Sequence, residues 1–445
     1  MKKQFLALLL VLASGSPVWA AQLSYDRYEA VWPSEAAKQG TPKSSYGFKN
    51  AGKHFLVYPF ELLRWPIDKS LVLTEKHHLD DKAQWIYEQM KNHGFTPKIR
   101  SIFGGDGFGG GFDIEFVKLA GLKGDFPHST IEGSALWTLD PITDYKAKLL
   151  QEQIGGTGAY AGGNFRYENR GQEHFYGIGP HTSLGDGTSY RLERTTLELI
   201  SGYDFLNTWD LLGKFSYQNV NITNGKDGGR GIIDNIFVQG RGQNIPGLGG
   251  DEIVSWVLEI KHDNRDSREL ATEGGLERFH FSYNKGMETS SGYFKYRGEA
   301  EHFFKLGSPR RVLGLRALVE HNDEIGNREV PFFNMARLGG YGTYPRSGDT
   351  NRGYRRDRFY DDSLLLFNFE YRWNVLEYRD WRLDPVLYCD VGQVFDEFSQ
   401  FQFSDFRVSY GISFRVSLEK NVVLALDFAR SNEGIQMYVK TKTPF

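Results

Sequence analysis

Apolar and polar side chains alternate most densely toward the end of the chain. From Asp405 to Leu418 the even positions are Phe406, Val408, Tyr410, Ile412, Phe414, Val416 and Leu418. The odd positions are Asp405, Arg407, Ser409, Gly411, Ser413, Arg415 and Ser417. A period of two sends each set to its own face of a strand. One face is continuous and aromatic-rich, while the other carries two arginines that a dry sandwich core would not accommodate. A barrel wall with lipid outside and a wet lumen inside satisfies both faces.

The same rhythm recurs upstream. Val254, Trp256, Leu258 and Ile260 oppose Ser255, Glu259 and Lys261, and Phe294, Tyr296, Gly298, Ala300 and Phe304 oppose Lys295, Arg297, Glu299 and Glu301. Val422, Leu424, Leu426 and Phe428 oppose Val423, Ala425, Asp427 and Ala429. From about Lys98 the chain reads as strands without reverting, over 348 residues (98–445). At roughly 9–11 residues per tilted strand plus connections, that length predicts about 16 antiparallel strands. Two stretches break the rhythm and read as long loops, 222–251 and 339–362.

The N-terminal part differs. Lys2 and Lys3, the apolar run Phe5 to Ala13 and the small-x-small site Val18-Trp19-Ala20 predict a signal peptide over 1–20, with the mature chain starting near Ala21. Residues 21–52 are polar and broken by Pro33, Gly40, Pro42 and Gly47. Asp80-Asp81 reads as a helix start. Leu79, Ala83, Trp85, Ile86, Tyr87 and Met90 would form one side of a short amphipathic helix ended by Gly94. The expected organisation is therefore a signal peptide (1–20), a helical periplasmic lead-in (21–96) and a membrane barrel (97–445).

Composition narrows the class. No later segment approaches the roughly 18 apolar residues of a membrane helix, so any crossing must use closed strands. Aromatics are 15% and mean hydropathy is −0.47, as expected when every second residue of a membrane wall faces water. A net charge of −3 argues against nucleic acid as a partner. Cys389 is the sole cysteine, so no intramolecular disulfide forms. Set against lipid, it reads as inert.

Several chemical motifs lead nowhere. Gly105 to Gly110 fits G-x-G-x-x-G but does not join a parallel strand to a helix, so a Gly-rich hairpin explains it. His77 and His78 point to different sides of the predicted helix, which disfavours a metal site with Asp80 and Asp81. No G-x-S-x-G occurs, and His280 and His302 beside serines are too generic to mark a hydrolase. Neither an enzymatic activity nor a cofactor is expected.

The second loop carries the specific pattern. Leu338-Gly339-Gly340 precedes Arg352-Gly353-Tyr354, followed by Arg358-Phe359 and Asp361. Then come strands with Asn368-Phe369-Glu370-Tyr371-Arg372 and Leu387-Tyr388-Cys389-Asp390-Val391-Gly392. Upstream, Asp263-Asn264-Arg265-Asp266 is followed by Gly274-Gly275. This ordered set resembles the BamA/TamA superfamily of outer-membrane barrels, the bacterial surface antigen family, over about residues 97–445. Residues 21–96 look too short for an array of periplasmic repeat domains, so the resemblance is to a short member. Asp263, Arg265, Asp266 and Gly275 correspond to the family's strand-end motif.

Alternation alone turns Glu370 and Asp390 into the lumen from neighbouring strands. The resemblance implies that the long loop folds back inside and that Arg352 bridges these two acids. Gly353 would allow a sharp turn beside Tyr354, and Gly392 would leave room for the loop tip. Such a pair at about 4 Å is worth on the order of 4 kcal/mol at an effective dielectric near 20, before desolvation. The resemblance also implies a weak closing seam, between a first strand near Lys98–Phe103, followed by a Gly104–Gly111 turn, and a last strand from Gly434 to Phe445. Phe445 would be the terminal address read by the barrel-assembly machinery. Thr441, Thr443 and Pro444 weaken pairing there. The function implied is insertion or translocation of client proteins, or of lipids, at the outer membrane of a Gram-negative cell. The alternative is a passive channel or structural barrel plugged by the N-terminal segment.

Overall fold

The computed structural model describes residues 95–101, 108–117, 128–138, 142–225, 245–289, 291–308, 310–340, 351–378, 381–418 and 421–440. The chain divides into two compact units, Met1–Ile99 and Arg100–Phe445. The predicted helix before Gly94, the Gly105-Asp106-Gly107 turn, the His77-His78 pair and Phe445 lie outside the described residues.

The chain runs through β1 (Phe95–Ser101), β2 (Phe108–Val117), β3 (Ser129–Thr138), β4 (Ile142–Gln151), β5 (Ala159–Phe175), β6 (Thr188–Phe205) and β7 (Trp209–Asn224). It continues through β8 (Gly250–Asp263), β9 (Gly274–Gly286), β10 (Gly292–Lys305) and β11 (Arg311–Glu324). Two three-residue strands, β12 (Ala336–Leu338) and β13 (Phe359–Asp361), form a small hairpin at the base of the 339–362 loop. Then follow β14 (Ser363–Trp373), short β15 (Leu376–Tyr378), β16 (Trp381–Phe395), β17 (Arg407–Leu418), β18 (Asn421–Ser431) and β19 (Gly434–Lys440).

In the second unit, β2 to β11, β14 and β16 to β19 pair antiparallel, each with the next in the chain. These fifteen strands form an up-and-down β-barrel wall. With β1, sixteen strands among the described residues have seven residues or more. The long 222–251 loop is shorter than its composition suggests, because β7 extends to Asn224.

Burial along the wall is inverted relative to a soluble protein. On β17, Ser409, Ser413, Arg415 and Ser417 are buried, whereas Val408, Tyr410 and Phe414 are exposed. On β14, Asn368, Glu370 and Arg372 are buried while Phe369 and Trp373 are exposed. Polar groups therefore line the inside and apolar ones the outside, the arrangement demanded when the exterior solvent is hydrocarbon.

One face assignment from the sequence is overturned. Val422 faces inward and is buried with Leu270 and Ala425. A bulge between Val416 and Ser417 pairs Val416 with Leu424 but Ser417 with Val422, and this slip reverses the parity at the start of β18. Periodicity counted straight along the chain cannot see an extra residue.

Candidate functional site

The site is built on neighbouring wall strands. Register sets Asn368 opposite Asp390 across β14 and β16, and Asp390 opposite Ser409 across β16 and β17. Glu370, opposite Tyr388, and Asp390 thus lie one inward position apart on adjacent strands. Leading into them, the loop after Asn351 carries Arg352, whose side chain is 0% exposed.

Both carboxylates accept hydrogen bonds from this arginine. Arg352 Nε donates to Asp390 Oδ2 at 2.8 Å and Nη2 to Oδ1 at 2.6 Å, a bidentate fork. Its Nη1 donates to Glu370 Oε1 at 2.6 Å, and its backbone N–H to Asp390 Oδ2 at 2.9 Å. The guanidinium carbon sits 3.5 Å from the centre of the Tyr388 ring, adding a cation–π contact. Burial alone would favour loss of the Arg352 charge, but Asp390 and then Glu370 outweigh it, so its pKa is raised rather than lowered.

The acids have further partners that alternation did not pick out. Glu370 Oε1 also accepts from Arg415 Nη2 at 2.6 Å, and Oε2 from Arg372 Nε at 3.0 Å. Asn368 Nδ2 donates to Asp390 Oδ1 at 2.8 Å. The simple picture of one arginine between two acids is thus a network of three arginines. Arg415 and Arg372 were both legible as inward-facing, but only the strand register brings them to one carboxylate.

Next to the clasp, the loop backbone runs against the wall. Gly353 N donates to Ser409 Oγ at 3.0 Å, and Ser431 Oγ donates to Gly353 O at 2.7 Å. A Cβ at Gly353 would stand 2.4 Å from Ser409 Cβ and 2.9 Å from the Arg430 carbonyl group, so close backbone approach requires glycine. Tyr354 O accepts from Tyr438 Oη at 3.0 Å, and Tyr354 Oη donates to Asn432 Oδ1 at 2.7 Å. Gly392 serves a different neighbour from the one expected. Among the described residues, the side chain nearest to it is Leu338 at the loop base, 2.9 Å from where a Cβ would lie.

Farther along, the loop reaches the other side of the lumen. Arg356 Nη2 donates to Glu173 Oε2 on β5 at 2.7 Å. Arg358, buried, donates from Nη1 to Thr182 Oγ1 at 2.8 Å and from Nη2 to Thr182 O at 2.7 Å, both in the β5–β6 connection. Its Nη2 also lies 2.8 Å from Glu433 Oε1 in the β18–β19 turn. One side chain therefore ties elements far apart in the strand order. Gly179 N donates to Tyr360 O at 2.7 Å, adding a backbone tie to the same connection.

The strand-end motif forms a separate cluster in the β8–β9 connection. Arg265 pairs with Asp263 at 2.9 Å and with Glu301 on β10 at 2.8 Å. Asp266 Oδ1 accepts from Thr272 N at 2.8 Å, and Asn264 Oδ1 from Gly275 N at 2.7 Å, so Asp266 and Gly275 shape the turn itself. Glu269 of this turn accepts from Val422 N at 3.0 Å across the lumen. The motif does not touch the Arg352 clasp directly. Arg372 links the two regions, donating to Ala271 O at 3.3 Å and to Glu370.

Comparisons with known proteins agree with this geometry. The Omp85 superfamily domain matches residues 143–431. Among solved structures, BamA from Haemophilus ducreyi lacking POTRA domains 1-3 is similar with a TM-score of 0.54 at 12% identity, covering 81% of this chain and 77% of that one. CdiB from Escherichia coli gives 0.49 at 10% identity, covering 75% of this chain and 59% of that one. No curated protein matches in sequence. The structural likeness speaks for the fold, and the family model spans more than half of the residues. Taken with the ordered motifs, it shows that the chain belongs to the Omp85 superfamily of BamA-like β-barrels.

Proposed function

We propose that this protein assists the insertion or translocation of polypeptides, or of lipids, at the outer membrane of a Gram-negative cell, without enzymatic chemistry. The supporting observation is the loop folded into the lumen and held by Arg352 to Glu370 and Asp390, with Arg356 and Arg358 reaching the far side. A braced interior keeps the wall in shape while the ends of the sheet part, and a parted edge offers backbone partners to a strand that must enter hydrocarbon. Outer-membrane lipid and client barrel or exported proteins are the partners of this reading, with the assembly machinery acting during its own biogenesis.

Met437 on β19 is exposed on the outward side with Ile435. A photo-crosslinking residue at position 437 should capture nascent outer-membrane proteins in cells, and depletion should lower a defined set of them. Absence of both, together with steady ion conductance in planar bilayers, would sink the proposal and mark a passive channel.

A further inference from the structure

The connection between β16 and β17, residues 396–406, carries four phenylalanines: Phe398, Phe401, Phe403 and Phe406. Its position is fixed by what it covers. On β16, Asp390 and Val394 face inward, so Gln393 and Phe395 have outward parity, yet both are buried. The cover over Phe395 is the connection, with the Phe398 and Phe401 rings 5.4 and 5.7 Å from the Phe395 ring centre. Phe398 also lies 5.1 Å from His321, which shares the outward parity of exposed Val319 on β11. Ser363 Oγ at the start of β14 donates to Asp396 O at 2.7 Å. The connection therefore folds over the rim and packs on the outside of the wall across β16, β14 and β11.

Its own surface mixes two exposed rings with polar groups. Phe403 is 82% exposed and Phe398 58%, and Phe403 stacks edge-on with Phe401. Directly along β17 the outward Val408 and Tyr410 are also exposed, so the aromatic surface is continuous with the lipid-facing band. Ser399, Gln400, Gln402 and Ser404 and the acidic Asp396, Glu397 and Asp405 intersperse the rings, a composition suited to the boundary between headgroups and acyl chains rather than to the bilayer centre. We propose that residues 396–406 form a lipid-anchoring flap, in which Phe398 and Phe403 insert at that boundary and raise the membrane-contacting surface locally above β11 to β17. This inference goes beyond the assembly role and stands whether or not clients are handled.

The test uses the full protein with Cys389→Ser, reconstituted in phosphatidylcholine vesicles. A nitroxide is placed at Phe403→Cys, with Tyr410→Cys as the lipid reference and exposed Asn327→Cys as the aqueous one. Collision with oxygen relative to a water-soluble nickel chelate should be several-fold higher at position 403 than at 327 and approach that at 410. Phe398→Cys reads the same surface should the first variant fail to fold. Nickel-dominated relaxation equal to that at 327 overturns the proposal.

Discussion

Arg352 shows how much a single side chain can hold when its partners are all buried. Removing one member of a buried, hydrogen-bonded ion pair costs roughly 3–5 kcal/mol, because the charge left behind has no water to turn to. Arg352→Ala should therefore lower folded-barrel stability by about that much and make the 351–358 segment protease-sensitive, read on heat-modifiable gels and by limited proteolysis. Arg352→Lys should recover little, since an ammonium cannot reproduce the fork on Asp390. Glu370→Ala should be at least as damaging, because it removes the one carboxylate that Arg352, Arg372 and Arg415 share. Gly353→Ala should undock the loop by steric conflict with Ser409 and Arg430, at a cost of about 1–3 kcal/mol in the same unfolding measurement. Inward parity made Glu370 and Asp390 readable from the sequence, and the family resemblance supplied the arginine. What stayed hidden was the sharing of Glu370 among three guanidinium groups, since that depends on register across separate strands.

At the level of elements, the loop behaves as a brace because its contacts diverge. Arg352 holds β14 and β16, Arg356 holds β5, and Arg358 joins the β5–β6 connection to the β18–β19 turn. A double-mutant cycle on Arg358 and Glu433 should give a coupling above about 1 kcal/mol. The exposed Arg310–Glu377 pair should give less than that, since solvent screens both of its groups. Equal couplings would mean that the Arg358 contact is no more than a surface pair. Strand existence was plain from alternation, and β17 behaves as its sequence reads. The start of β18 does not, because a bulge changes which face a residue meets without changing the composition. The flap at 396–406 was equally unreadable, as nothing in a run of phenylalanines says which side of a wall it will cover.

For the whole molecule, the inverted distribution of polar and apolar groups makes the surroundings part of the fold. Leu387 faces outward on β16 and is well exposed. Leu387→Arg should reduce folding into bilayers by about 2–4 kcal/mol at a position near the midplane, whereas a substitution such as Glu377→Gln at an exposed polar site should not. Folding yield in vesicles of defined thickness would separate the two. The overall architecture was therefore the most legible level: alternation, length and the lack of a membrane helix converge on one solution. The brace has a temporal consequence as well. Ser431, Asn432, Glu433 and Tyr438, which fasten residues 353–358, all belong to the β18–β19 hairpin, which is made after the loop. The loop gains its full set of contacts after that hairpin is in place, so complete docking would report the hairpin's arrival, and barrels still lacking it would be the ones a quality-control protease can cut.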